Sequence, residues 1–484
     1  MSKVTKVKPD LIVNKPSLKN QGKRKINRII ERLDFKINPK LVLPEYKKYS
    51  AYVRTYGCQA NIVDSEIINK ILVHLGFKLT DDIDQANLVI LNTCAIRENA
   101  EKKVYGEIGL LANNKNHIQP FVLGISGCMP QQENTVEKLL KNNYVNFAFG
   151  THNIDELPQI LFDVFHLNKK VISIHHERKH HFHQMPRLIN QKHKAFVSIM
   201  DGCNHFCTYC IVPFTRGQQI SRDKDDIISE IKDLINDGVK EITLIGQNVN
   251  DYGIDFVNVK YRFSDLLNDV AKLPIKRIRF STSNPWNFDY KTIDVISQNV
   301  NIMPSIHLPI QSGDNEILKQ MKRFMKIDDY INLVKYMRKQ IKQLAITTDL
   351  IVGFPNESEK AFKNTLKLYK KIQYDNAYTF IFSPREGTPA AIMEDSVSNE
   401  TKNKRLNILN KYVKRYAKKN NKKYHNKIVE VLVDGYSKTD KNMLTGYSPQ
   451  LKVVNFKGKA NPGDLVMVKI KSVNRFSLIG EQVS

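Results

Sequence analysis

The sequence predicts an α/β protein with three folded parts: an N-terminal parallel α/β domain, a partial (β/α)6 barrel and a small C-terminal antiparallel β-barrel. Strand-like and helix-like segments alternate from residue 49 to about residue 421, which is the pattern of parallel sheets. The last sixty or so residues instead hold short segments with an apolar residue at every second position, separated by glycine-containing turns. With 484 residues, the chain is long enough for several domains with cores of their own.

Composition sets limits on the class of protein. Lys and Arg total 75 against 49 for Asp and Glu, which gives a formal net charge of +26. This surplus favours a polyphosphate partner such as a nucleic acid, although charge alone leaves simple solubility open. We find no apolar run that could span a bilayer and no signal peptide, so we expect a cytoplasmic protein without a membrane partner. Six cysteines are too few and too scattered for a disulfide scaffold.

The chain divides into five expected segments. These are a basic, flexible extension over 1–48, an N-terminal domain over 49–165, a histidine-rich linker over 166–193, a barrel over 194–421 and a C-terminal domain over 422–484. The extension has one amphipathic stretch at 27–33 and is read as a mobile arm, with a supplementary RNA contact left open. Histidines 175, 176, 180, 181 and 183 could bind metal, but no carboxylate or cysteine framework surrounds them, so we favour a solvated connector.

Each expected strand of the N-terminal domain leads into a cysteine. The strands are expected at 51–57, 88–93 and 121–126, and the cysteines are Cys58, Cys94 and Cys128. Ligands of open α/β sheets gather at the carboxyl ends of the strands, so the three thiols are expected to meet there. Buried cysteines that behave as small apolar residues are the alternative. Because the same strand-end position recurs three times, we favour an iron–sulfur cluster with one iron free.

A second set of cysteines lies in one loop of the barrel domain. Cys203, Cys207 and Cys210 follow the first of six expected barrel strands, at 195–200, 241–246, 277–281, 305–309, 344–352 and 378–383. Three thiolates suit a soft metal centre, and three ligands leave one iron of a four-iron cluster open for a non-protein group. A zinc knuckle with His205 as fourth ligand is the alternative. A lysine-rich helix over about 399–423 closes the domain.

The C-terminal domain reads as a binding module. Its strands are expected at 427–433, 451–456, 465–470 and 476–479. No cysteine or paired carboxylate there suggests catalysis, and small barrels of this type often bind RNA.

Taken together, the two cysteine sets resemble the MiaB-type tRNA methylthiotransferases of the radical S-adenosylmethionine (SAM) superfamily. The resemblance covers about 45–484 and is carried by the segments at 55–61, 92–102, 127–131, 203–217, 244–250, 306–313, 348–355 and 383–389. It implies an N-terminal methylthiotransferase domain, a radical SAM barrel and a C-terminal TRAM domain. It also implies an enzyme that places a methylthio group on C2 of N6-isopentenyladenosine at position 37 of tRNA.

The resemblance further implies two [4Fe-4S] clusters and S-adenosylmethionine. Cys203, Cys207 and Cys210 would hold the cluster that cleaves the cofactor, and the N-terminal cysteines would hold an auxiliary cluster that carries the sulfur. A second S-adenosylmethionine would supply the methyl group. The implied cofactor contacts are Tyr209, Gly246, Gln247, Gln311, Ser312 and Asp349, although strand-end polar residues also cap helices. The expected partners are a tRNA anticodon stem-loop, an electron donor such as flavodoxin or ferredoxin, and a sulfur donor.

Three positions depart from the family pattern. Asn284-Pro285 replaces His-Pro, Glu386 replaces a proline, and Gly446-Tyr447 replaces Gly-Arg, which weakens one RNA contact that Lys452 and Lys457 could restore. Two rival functions remain open at this point. One is a sibling enzyme acting on threonylcarbamoyladenosine 37 or on a ribosomal-protein aspartate; the other is a non-enzymatic, metal-stabilised RNA-binding protein. The runs YGCQ and GQNVN favour the isopentenyladenosine branch.

Overall fold

The computed structural model describes residues 31–95, 98–114, 117–175, 180–182 and 185–483. The chain forms two compact units. The first comprises Met1–Asn190, Asp201–Phe206 and Cys210–Asp226, and the second comprises Gln191–Met200, Cys207–Tyr209 and Ile227–Ser484. Within the described residues, no helix is both long and apolar enough to cross a membrane.

The first unit is built on a six-stranded parallel sheet. Its strands are β2 (Ser50–Tyr56), β3 (Lys78–Leu79), β4 (Leu88–Thr93), β5 (Val122–Gly127), β6 (Phe147–Phe149) and β7 (Val171–Ser173), in the order β3-β2-β4-β5-β6-β7. Its helices are α1 (Gln59–Leu75), α2 (Glu98–Asn113), α3 (Glu133–Lys141) and α4 (Leu157–Phe165). Every residue of β4 is buried, as expected for a central strand covered on both faces.

Helix α1 illustrates how the sequence builds this unit. Its buried residues Ile68, Ile71, Leu72 and Leu75 recur at three- and four-residue spacing, so they form one face that packs in the core of the sheet. The helix ends at Gly76, whose φ of 108° gives the left-handed conformation that a terminal glycine adopts readily.

The expected extension over 1–48 is wrong in its last part. Strand β1 (Glu31–Leu33) pairs in parallel with β8 (His180–Phe182), and Tyr46 is fully buried with its ring stacked 4.6 Å from Phe77. An aromatic ring removed from water contributes to the core, so these residues are held to the domain. Residues 1–30 lie outside the described residues.

The linker over 166–193 also belongs partly to this unit. Strand β7 lies in the sheet, and the Leu188 N–H donates to the carbonyl of Glu66 at 2.9 Å. His175 lies 3.0 Å from a carboxylate oxygen of Glu156, so this histidine is not simply solvated. His176 and His183 of the histidine run fall outside the described residues.

The second unit contains the predicted partial barrel. Its strands are β9 (Lys194–Ser198), β12 (Glu241–Ile245), β13 (Arg277–Phe280), β14 (Ser305–His307), β15 (Ala345–Val352) and β16 (Asn376–Ile381). They form two parallel three-stranded sheets, β13-β12-β9 and β14-β15-β16, and a parallel bridge between Ile278 and Ile302 continues the order from one to the other. Six strands in sequential order confirm the partial (β/α)6 barrel.

The remaining elements of the middle of the chain follow the same chain order. The short strands are β10 (Met200–Asp201) and β11 (Ile220–Ser221). The helices are α5 (Val212–Thr215), α6 (Lys224–Asn236), α7 (Phe263–Ala271), α8 (Tyr290–Gln298), α9 (Asn315–Gln320), α10 (Ile327–Gln340), α11 (Glu359–Ile372) and α12 (Asn399–Asn421).

The C-terminal strands close into a barrel within the second unit. They are β17 (Ile428–Tyr436), β18 (Leu444–Tyr447), β19 (Val453–Lys457), β20 (Leu465–Val473) and β21 (Ser477–Gln482), in the order β17-β18-β19-β21-β20. Strand β18 was absent from the sequence prediction, and β19 pairs with β21 in parallel whereas the other pairs are antiparallel. Arg277, at 1% exposure, donates to the carbonyl of Tyr447 at 2.8 Å and pairs with Glu430, which ties this barrel to β13.

Candidate metal centres

The three N-terminal cysteines follow strand ends that lie level with one another. Tyr56 is in register with Thr93, and Thr93 is in register with Gly127. Cys58, Cys94 and Cys128 therefore leave the same edge of the sheet, one or two residues beyond these positions. Cys94 and Cys128 are each 3% exposed, Cys58 is half-buried, and all three are free thiols. We call this set the sheet triad.

Asn61 fixes the loop that carries Cys58. Its side-chain oxygen accepts from the Cys58 N–H at 3.2 Å, and its amide nitrogen donates to Asn92 Oδ1 at 3.0 Å and to the Thr93 carbonyl at 3.3 Å. Asn61 is fully buried, so these bonds are exchanged with no water. One amide thus joins the end of β2 to the end of β4.

Gly127 lets the end of β5 approach β4. Its φ is 94°, and a Cβ atom at this position would lie 2.4 Å from the Thr93 carbonyl oxygen. Any other residue would be both strained and blocked by backbone. The Cys128 N–H donates to that same carbonyl at 2.8 Å, so the glycine permits the contact that positions Cys128.

A buried arginine lies beside the sheet triad. Arg216 is 5% exposed and its Nη2 lies 2.6 Å from Asp64 Oδ2. Burial raises the pKa of the Cys128 thiol to about 12; the Arg216 guanidinium lowers this pKa, while Cys94 and Cys58 raise it further. These mutual effects place the three thiols and the guanidinium within electrostatic reach of one another. A buried thiolate set of this kind is stable only with a nearby positive charge, such as metal.

The fit to a cluster rather than to a single ion follows from the donor set. Within the described ranges, no three Cys, His, Asp or Glu side chains lie at the spacing of one ion site. Each thiolate of a four-iron cluster binds a different iron, so cluster ligands stand farther apart than the ligands of one ion. Three free cysteines at one sheet edge, with Cys128 packed against Ala95 and Ile211, suit such a group. The zinc alternative with His205 gains no support from this arrangement.

The loop with Cys203, Cys207 and Cys210, here called the loop triad, is held by its own backbone. The Cys203 N–H donates to the Gly217 carbonyl at 3.2 Å. Gly202 has φ 70°, and a Cβ there would lie 2.1 Å from the Gln218 carbonyl oxygen. This glycine therefore lets the two ends of the loop meet.

In the second unit, Cys207 lies beside a second buried arginine. Arg323 Nη1 is 3.9 Å from Cys207 Sγ, and Arg323 Nη2 donates to the Pro309 carbonyl. The Thr208 N–H donates to the Met321 carbonyl at 3.2 Å. Tyr209 packs against an apolar cluster that contains Phe354 and Phe382. The predicted residue Tyr209 thus joins the loop to the barrel.

The predicted cofactor contacts at β12 have the expected character. Gly246 follows β12, and a Cβ there would lie 2.4 Å from Met200 Cγ. The Gln247 Oε1 atom is buried and accepts no hydrogen bond within the described part of the chain. A buried acceptor without a donor favours a ligand that brings one, such as an amino group.

The other predicted contacts lie at β14 and β15. Gln311 has φ 74°, and its N–H donates to the Asp349 carbonyl at 2.9 Å. Ser312 is fully buried. Asp349 Oδ2 lies 3.4 Å from Nε2 of His307, a residue that was not among the predicted contacts. A non-glycine residue held at positive φ marks a position that its surroundings determine, often at a functional site.

Known proteins show what this chain resembles. A curated relative from Malacoplasma penetrans (strain HF-2), named tRNA-2-methylthio-N(6)-dimethylallyladenosine synthase, is 50% identical over 434 residues, covering 89% of this chain and 88% of the relative. A relative of the same name from Bacillus subtilis (strain 168) is 45% identical over 471 residues, covering 97% and 92%. The chain belongs to this synthase family. The predictions of an enzyme and of this family are confirmed.

Family matches cover the three predicted parts. Residues 50–150 match the uncharacterized protein family UPF0004, residues 197–369 the radical SAM superfamily, and residues 422–483 the TRAM domain. The radical SAM methyltransferase TsrM from Kitasatospora setae is 12% identical with a TM-score of 0.52, covering 71% of this chain and 75% of that one. This last likeness concerns the fold. As a radical SAM family, the synthases use S-adenosylmethionine and a [4Fe-4S] cluster.

Several residues of these sites were missed as site residues from the sequence. Arg216 and His307 stood inside family segments without a role, and Asn61 and Arg323 depend on partners distant in the chain. Their signal was weak because a buried arginine or asparagine looks like a surface residue until its partner is known.

One expectation about RNA contacts is wrong. Lys452 was expected to compensate for Tyr447, but it is 9% exposed and its Nζ lies 2.9 Å from Asp375 Oδ1. A lysine held in a buried ion pair is not available to a phosphate. Lys457 is exposed and remains a candidate.

Proposed function

We propose that this chain converts N6-isopentenyladenosine at position 37 of tRNA into 2-methylthio-N6-isopentenyladenosine. The observation that carries the proposal is the sheet triad: three strand ends in register, each followed by a cysteine, beside Arg216. The loop triad alone would suffice to cleave S-adenosylmethionine. A second thiolate set in the same chain favours a second cluster, and hence sulfur insertion.

The six cysteines would hold the two [4Fe-4S] clusters, the loop triad one and the sheet triad the other. When bound, these clusters and S-adenosylmethionine supply a carbon radical, a sulfur atom and a methyl group for an aromatic carbon that is neither acidic nor electrophilic. The protein supplies the ligands and the surroundings. Arg323 faces Cys207 at 3.9 Å, and Arg216 lies beside Cys58 and Cys128, so each triad has a guanidinium that balances thiolate charge.

The remaining site residues would orient the cofactor and the substrate. The free acceptor on Gln247 suits the amino group of the methionine part, and Gly246 allows a close approach at the end of β12. Gln311, Ser312 and Asp349 at the ends of β14 and β15 would frame ribose or substrate. Fixed polar groups of this kind position the reacting atoms without reorganisation.

The division of labour follows the expected domains, 49–165, 194–421 and 422–484. The C-terminal barrel would bind tRNA, supported by the basic charge of the chain. A flavodoxin or ferredoxin would supply electrons, and a separate sulfur donor would restore the sulfur after each turnover.

The proposal is tested on the nucleosides of tRNA. We expect digests from a strain that lacks this gene to lose 2-methylthio-N6-isopentenyladenosine and to accumulate N6-isopentenyladenosine, as measured by mass spectrometry. The intact gene should restore the product, whereas the Cys58→Ala gene should not. Persistence of the methylthio product in the deletion strain would refute the assignment.

The same digests address the sibling reactions. Both relatives described above carry the dimethylallyladenosine name, which favours that substrate over threonylcarbamoyladenosine. We therefore expect any methylthio-threonylcarbamoyladenosine to be unchanged in the deletion strain, and methylthiolation of the ribosomal-protein aspartate likewise.

A further inference from the structure

We propose that Trp286 and Phe324 form an aromatic platform on which an unpaired nucleobase of the RNA substrate stacks. This inference rests on the proposed function and adds a binding site for the base. The two rings are 6.2 Å apart in a T-shaped arrangement at 80°. Phe324 is 70% exposed, so one large apolar ring of the pair faces solvent.

The platform lies next to the loop triad within the second unit. The Arg323 guanidinium carbon is 4.5 Å from the centre of the Trp286 ring, and Arg323 Nη1 is 3.9 Å from Cys207 Sγ. A single side chain therefore connects the tryptophan ring with a predicted cluster ligand. A base stacked on this pair would be close to the place where the substrate must react.

The tryptophan is held rigidly. It follows Asn284, whose N–H donates to Asn248 Oδ1 at 3.0 Å and to Asn250 Oδ1 at 2.8 Å, while Asn250 Nδ2 donates to the Asn284 carbonyl at 3.0 Å. Asn287, on the other side, donates to Asp251 Oδ1 at 3.0 Å. A rigid aromatic side chain loses little entropy when a ligand stacks on it.

The neighbours of Phe324 favour a nucleic acid as the occupant. Lys322 and Lys326 are exposed on either side of it, so an apolar ring stands between two cations. Aromatic rings flanked by basic residues are the usual surface for unpaired nucleotides: the rings take the bases and the cations take the phosphates. Isolated exposed apolar residues are common, but a ring paired with a second ring over a buried arginine is more specific.

The proposed chemistry also needs such a surface. A base in the anticodon loop must leave its neighbours before C2 can enter an enclosed site, and unstacking costs a few kcal/mol. Stacking on Trp286 and Phe324 would offset part of that cost.

The test measures binding of the reconstituted holoenzyme to a labelled anticodon stem-loop carrying N6-isopentenyladenosine, by anisotropy. Stacking on one aromatic ring is worth enough that we expect Phe324→Ser to weaken binding about 10-fold. Phe324→Tyr keeps a ring and should bind within about twofold of the unchanged protein. Tyr144→Ser, an equally drastic change at an exposed aromatic of the first unit, is the matched control and should also stay within about twofold.

Fluorescence gives a second readout, because Trp286 is the only tryptophan of the chain. The stem-loop should quench its emission, and a blunt duplex without a loop should not. Unchanged affinity of Phe324→Ser, or equal weakening by Phe324→Tyr, would overturn the proposal. So would unchanged RNA affinity combined with slower reduction by flavodoxin, which would make the platform a protein-docking site.

The outcome is separable from that of the proposed function. If the unchanged enzyme makes no methylthio product yet its RNA affinity depends on Phe324, the platform stands and the proposed function fails. If it makes the product and Phe324→Ser binds RNA with unchanged affinity, the platform is refuted alone.

Discussion

The two triads reach similar donor sets by opposite routes. The loop triad is local: Cys203, Cys207 and Cys210 are close in sequence, and a single glycine turn brings the ends of their loop together. The sheet triad depends on topology, because its cysteines meet only if three strands are paired in one register. A one-residue slip would carry a cysteine away from the edge and reverse the side chains of its strand. Metal binding at the sheet triad is therefore linked more closely to folding.

The two sets are nevertheless joined within the first unit. Ile211 and Phe214, just after Cys210, pack with Cys128, and Arg216 pairs with Asp64 of α1. The loop that carries part of one site thus completes the surroundings of the other.

Removing this arginine should cause the largest loss of stability. Arg216→Met leaves the Asp64 carboxylate buried without its partner, which costs about 3–5 kcal/mol. We expect a lower midpoint of thermal unfolding of the full chain and loss of iron. The double variant Arg216→Met/Asp64→Leu should be more stable than Arg216→Met alone. A midpoint of Arg216→Met equal to that of the unchanged protein would show that the ion pair does not join the two sites.

A smaller change tests the topology directly. Gly127→Ala places a Cβ 2.4 Å from the Thr93 carbonyl oxygen at a φ of 94°, so we expect a loss of about 1–3 kcal/mol and less iron. Gly106→Ala is the matched control, because its Cβ would meet nothing within 4 Å in α2. It should stabilise the chain by about 0.5–1 kcal/mol and leave the iron content unchanged. Equal iron in both variants would contradict the role given to the strand end.

Sequence patterns predicted most of this architecture because the signals were local. The strands before Cys58, Cys94 and Cys128 are strongly apolar and end in small or polar residues, so both their existence and their ends were predictable. The six barrel strands were confirmed for the same reason.

The elements that were missed lack such signals. Strands β6 and β7 have three residues each, and β18 has four with a glycine inside, too short for a periodic pattern. Tyr46 sits in a polar, lysine-rich stretch, so nothing nearby indicated that it is buried against Phe77. Lys452 and Arg216 were misjudged or overlooked because their partners, Asp375 and Asp64, are far away in the chain.

The claim that the chain holds two clusters with different tasks is tested most directly by comparing Cys58→Ala with Cys207→Ala after anaerobic reconstitution. The unchanged protein should bind about eight irons, and each variant about four, because a cluster holds four irons. Cys58→Ala should still form 5′-deoxyadenosine with a reductant but yield no methylthio product, whereas Cys207→Ala should yield neither. Full iron content in Cys58→Ala, or methylthio product from it, would contradict the account.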